Sequence, residues 1–87
     1  MADQPDTLTV PLRTPVTLGT GPAALSFSEL KLREPTAAEL MQWDKLSGAE
    51  ADIMAVSVVS GVPKAAVEMI GVRDLNQAAK FIAGFFA

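Results

Sequence analysis

Polar and apolar residues alternate through Thr7-Leu8-Thr9-Val10-Pro11-Leu12-Arg13, which sets Leu8, Val10 and Leu12 on one face. That is the period of a half-buried strand. Pro11 falls on the polar side and has no N–H for a ladder bond, so the pattern predicts an edge strand, bent near Pro15 before Val16 and Leu18 continue it. Gly19-Thr20-Gly21-Pro22 has turn chemistry. A second alternating stretch carries Leu25 and Phe27, then Leu30 and Leu32, two pairs out of phase by one residue. A bulge near Ser28 or Glu29 would restore one apolar face. The expectation is a β-hairpin over about 8–33, strand 8–18 against strand 24–33.

After Pro35 the period becomes helical. Thr36-Ala37-Ala38-Glu39 reads as a capping box, and the helix it opens, about 36–46, carries Leu40, Met41, Trp43 and Leu46. Ser47-Gly48-Ala49-Glu50 repeats the box and opens a helix over about 48–60, with Glu50 and Asp52 near its positive end. Ile53–Val59 is rich in β-branched residues and suits a buried strand as well; the cap and the acidic first turn favour helix. Gly61 ends that helix and Pro63 suits the start of a short one over about 63–70, with Ala66, Val67 and Ile70 as its stripe. A last helix, about 73–86, spaces Leu75, Ala78, Ala79, Ile82 and Phe86 by threes and fours. The fold class is therefore α+β: an N-terminal antiparallel hairpin, then three to four short helices, one small domain over 7–87. The polar segment 1–6 is expected to be a disordered tail.

Composition narrows the function. The 87 residues include no cysteine, histidine or tyrosine, which removes disulfides, thiolate metal sites and the commonest general base. The carboxylates Glu34, Glu39, Asp44, Glu50 and Asp52 sit at helix starts and polar faces, where capping and solvation account for them. Gly19-Thr20-Gly21 lacks the lysine and the following helix of a phosphate loop. No catalytic, metal or cofactor site is expected. Seven basic residues against ten acidic give a net charge of −3, and the bases are scattered, so no nucleic-acid surface is expected. No apolar run nears the roughly 20 residues of a membrane span, and the acidic start is the reverse of a signal peptide. A soluble, intracellular protein is the expectation.

Two features point outward. No charged residue lies between Asp52 and Lys64, nor after Lys80. A surface helix normally keeps a charged face, so the second helix is either central or covered by a partner. Phe81 and Phe85 lie about 100° round the last helix from Ile82 and Phe86, too wide a spread for one core face. Phe81 and Phe85, with Phe86, are therefore expected to meet another chain. Trp43 serves either as a core anchor for the first helix or as an interface hot spot. Together with Met54 and Val58 of the second helix it completes the set of candidate contacts.

Leu30-Lys31-Leu32-Arg33-Glu34-Pro35-Thr36-Ala37-Ala38-Glu39-Leu40 resembles the strand-to-helix junction, L-x-L-R-x-P-T-x-x-[DE]-L, of the tail assembly chaperones of Mu-like and P2-like bacteriophages. The Gly61-Val62-Pro63 break, the early Asp74 and the terminal phenylalanines extend the resemblance over about 8–86. The glycine turn at 19–22 and the Ala- and Val-rich helices depart from it. The resemblance implies a non-catalytic chaperone in the bacterial host's cytoplasm. It would bind the tape measure protein and keep it soluble until the tail tube polymerises around it. It also implies contact with the tail tube protein where a longer, frameshifted form exists. The competing reading is a homo-oligomeric structural or adaptor subunit of a phage or prophage particle.

Overall fold

The computed structural model describes residues 4–86. It opens with an antiparallel hairpin of β1 (Thr7–Leu18) and β2 (Leu25–Arg33), joined through a 3-10 turn at Gly21–Ala23. Gly19 and Gly21 enter this turn at φ of 83° and 72°, a left-handed region that side-chain-bearing residues rarely adopt. Four helices follow, α1 (Ala37–Leu40), α2 (Gly48–Ser60), α3 (Lys64–Val67) and α4 (Val72–Ala83), and α4 runs into a 3-10 turn at Gly84–Phe86. The architecture is α+β, a two-stranded sheet with helices laid on it.

The hairpin ladder runs from Thr7↔Arg33 to Pro11↔Glu29 and resumes from Val16↔Phe27 to Leu18↔Leu25. Leu12, Arg13, Thr14 and Pro15 together stand opposite Ser28 alone. The extra residues are thus on β1, whereas the sequence places the compensating bulge on β2. The reason is local: Pro15 has no N–H to give the ladder, and the N–H of Arg13 is taken by Asp74 (N–Oδ2 3.0 Å). The odd offset sets Phe27 and Leu25 opposite Val16 and Leu18, while Leu30 and Leu32 face Val10 and Leu8. Beyond Val16 and Phe27 no residue of the hairpin is fully buried, though Leu18 still touches the core, in a molecule measuring 47 × 26 × 20 Å.

Thr36 caps α1: its Oγ1 accepts from the Glu39 N–H (3.2 Å), and the Glu39 carboxylate accepts from the Thr36 N–H (2.9 Å). The helix is shorter than its 36–46 pattern predicts. After Leu40 the chain continues through Met41–Lys45 in tighter turns, with bonds such as Gln42 N–H to Glu39 C=O (2.9 Å). This brings Trp43 inward at 7% exposure.

Ser47 stands at the N-cap of α2, yet its hydroxyl makes no capping bond, so the second box, Ser47 with Glu50, does not form. Gly48 begins the helix at φ 61°, and that left-handed entry does not present the first-turn N–H groups to the Ser47 side chain. Ile53–Val59 is helix throughout. Gly61, at φ 75°, closes α2 with its N–H on the Ser57 carbonyl. The serines of this apolar helix finish its end: Ser57 Oγ donates to the Val62 carbonyl (2.7 Å) and Ser60 Oγ to that of Val56 (2.6 Å). Helix α3 is a single turn, ending before Ile70.

Helices α2 and α4 pack on each other, with α2 over β2 and α4 over the sheet nearer β1. Between the layers lies one core, in which Val10, Val56, Val67, Leu30, Leu32 and Ile82 are almost fully buried. The opposite sheet face is left bare and polar.

Candidate partner-binding surface

Two polar ties fix where α4 lies. At its start, buried Asp74 accepts the Arg13 backbone N–H, with the Arg13 Nε 3.8 Å from its other oxygen. At its end, Gln4 Nε2 donates to the Phe81 carbonyl (2.7 Å) in the last turn of the helix. Gly84 leaves room for the Gln4 side chain, since a Cβ there would collide with it. Of the tail expected over 1–6, residues 1–3 lie outside the described residues, and Gln4 is held against α4. Helix α4 therefore runs antiparallel to β1.

Because Asp74 turns inward, the buried arc of α4 centres on Ala78 and takes in Leu75, Phe81 and Ile82. This corrects the placement expected from the sequence. Phe81 is core, at 9% exposure, and Phe85 is half-buried with its ring edge-on to Phe81 (centroids 5.2 Å, planes 87°). Phe86, the third phenylalanine expected to meet another chain, is 51% exposed. Trp43 is core as well. Met54 and Val58 are half-buried on α2 against the core cluster. Of the six candidate contacts, Trp43 and Phe81 are thus withdrawn from the surface, and Phe86 is the most open.

Apolar side chains outside the six candidate contacts are exposed as well. Met41 is 77% exposed after α1, and Met69 (57%) and Val72 (71%) flank Gly71 at the α3–α4 corner. Val72 borders a shallow depression with Arg13, Thr14, Gly71, Arg73 and Asp74. Met69 and Val72 lie outside the apolar stripes read from the sequence, whereas Met41, read with Leu40, Trp43 and Leu46 on the first helix, is turned outward because α1 ends at Leu40. Leu25 is exposed near the hairpin tip.

The junction between sheet and helices is a closed polar network. Arg33 meets the Glu39 carboxylate with both terminal nitrogens (2.7 and 2.6 Å) while Glu39 also accepts from the Thr36 N–H. The Arg33 side-chain bond and then the Thr36 backbone bond pull the Glu39 pKa from its usual value down to about 2. This carboxylate is therefore a fixed anion rather than a proton carrier. Within the Leu30–Leu40 stretch, Leu30 and Leu32 lie in the core and Leu40 packs against it, Arg33 and Glu39 clasp, and Thr36 caps.

A sequence model described as phage tail assembly chaperone proteins, E, or 41 or 14, matches residues 9–87. The chain belongs to this phage tail assembly chaperone family. The family assignment covers the hairpin, the Arg33–Glu39 clasp and all four helices together. No curated protein and no solved structure matches the chain. Among the described residues no helix is long and apolar enough to cross a membrane, and no cluster of acidic residues could hold a metal ion.

Proposed function

We propose that the chain binds the tape measure protein of a phage tail and keeps it soluble until the tail tube assembles around it. The observation that carries this reading is the set of apolar side chains, Met41, Met69, Val72 and Phe86, left more than half exposed on the helical part of a tail assembly chaperone. A long helical protein waiting to be encased exposes apolar stripes of its own, and helix-in-groove contact with such side chains covers them reversibly. Half-buried Phe85, Met54 and Val58 would widen that contact. Binding rather than catalysis is the role, in the host cytoplasm where tails assemble.

The test is co-expression with the tape measure protein encoded by the same phage, scoring its solubility and co-purification. Phe86→Ser and the pair Met69→Ser with Val72→Ser should leave the fold intact and reduce both readouts. A tape measure protein equally soluble with and without this chain would overturn the proposal.

A further inference from the structure

Helix α4 turns its one carboxylate, Asp74, inward, and Leu75, Ala78, Phe81 and Ile82 are buried with it. What it shows to solvent is Val72, Arg73, Asn76, Gln77, Lys80 and Ala83. At about 100° per residue, Arg73 and Lys80 fall within about 20° of each other on this outer face, about 10 Å apart along the axis. Neither makes an ion pair among the described residues. Val72, half-buried Ala79 and Ala83 run along one side of these two cations, and exposed Phe86 follows in the 3-10 turn.

The chain has a net charge of −3, yet the outer face of α4 carries two cations and no anion. A face of one sign beside an apolar line selects what can lie on it. Nucleic-acid backbones are held by many clustered cations, and two on an acidic chain are too few. From Val72 to Phe86 the apolar line is about 20 Å long, the length over which one short helix packs along another. Its complement is a helix whose apolar stripe meets Val72 and Phe86. Carboxylates seven residues apart on one side of that stripe would then meet Arg73 and Lys80.

We propose that the outer face of α4 is a docking surface for an acidic amphipathic helix of the tape measure protein, seated on Val72 and Phe86 with its carboxylates at Arg73 and Lys80. This rests on the tape measure reading above and adds to it the chemistry of the segment bound. In the test, the full chain is titrated with overlapping peptides covering the tape measure protein of the same phage, beside co-purification of the whole protein. The peptides that bind should carry carboxylates along an apolar helical stripe. Arg73→Glu with Lys80→Glu should weaken such a peptide by about tenfold, and Arg73→Gln with Lys80→Gln by less. Both variants should melt near the parent, because neither side chain is buried or ion-paired among the described residues. Exchanging the peptide's carboxylates for lysines should abolish binding to the parent and restore it to the charge-reversed variant. Binding confined to peptides without carboxylates overturns this inference and leaves tape measure binding standing, as does a charge-reversed variant that binds like the parent. Capture of duplex DNA through Arg73 and Lys80 overturns it too. A tape measure protein neither captured nor kept soluble by the parent chain overturns both readings.

Discussion

Asp74 at the start of α4 accepts a hydrogen bond from the backbone N–H of Arg13 in the irregular stretch of β1, at 3.0 Å. The bond spans two elements and serves both. It gives an N–H that has left the ladder a partner, and it goes with a placement of α4 in which Phe81 joins Leu75, Ala78 and Ile82 in the core while Phe86 stays outside.

Removing that acceptor should leave a part-buried N–H unpaired. Asp74→Ala is expected to cost about 1–3 kcal/mol in denaturant unfolding, the range for orphaning a buried donor. Asp74→Asn, which keeps an acceptor oxygen, should cost less. Equal losses from the two would mean that the bond does not set the stability.

The two N-cap positions should behave differently. Thr36→Ala is expected to cost about 1 kcal/mol, as loss of a working cap does. Ser47→Ala should change stability by less than about 0.5 kcal/mol, as a surface change without a lost bond does. Thermal melts of both variants, side by side, decide the matter.

Glu39 makes stability depend on acid. Its pKa is lowered from 4.5 to about 2 by Arg33 and the Thr36 N–H, so its contribution is fully present above pH 4.5. It is lost as pH falls from there towards 2. The stability gap between the wild type and Glu39→Gln should be constant near neutral pH and close across that window. A gap that is independent of pH down to 2 would show that the ion pair contributes nothing in solution.

Phe81 and Phe86 should separate stability from binding. Phe81→Ala empties a core site and should cost about 3–5 kcal/mol, the usual range for a buried phenylalanine. Phe86→Ser should melt within a few degrees of the parent. A Phe81→Ala chain as stable as the wild type would return that ring to the surface.

The sequence by itself determined the order of elements, because each depends on neighbours a few residues away. Alternation at Leu8, Val10 and Leu12, the glycines at 19 and 21, the Thr36–Glu39 box and Gly61 are all local signals, and the structure carries each where its pattern lies. The stretch from Leu30 to Leu40 also pointed to the family. Only the tertiary structure decided which strand carries the extra residues, how α4 is rotated, and hence which phenylalanine is left outside. Those outcomes rest on contacts between residues far apart in the chain: Arg13 with Asp74, and Gln4 with Phe81. Periodicity finds the arc of a helix that is richest in apolar residues, but a single buried carboxylate with a partner on another element can turn that arc. Ser47 fails in the same way on a smaller scale, since a cap needs the helix to begin in the right conformation and Gly48 begins it in another.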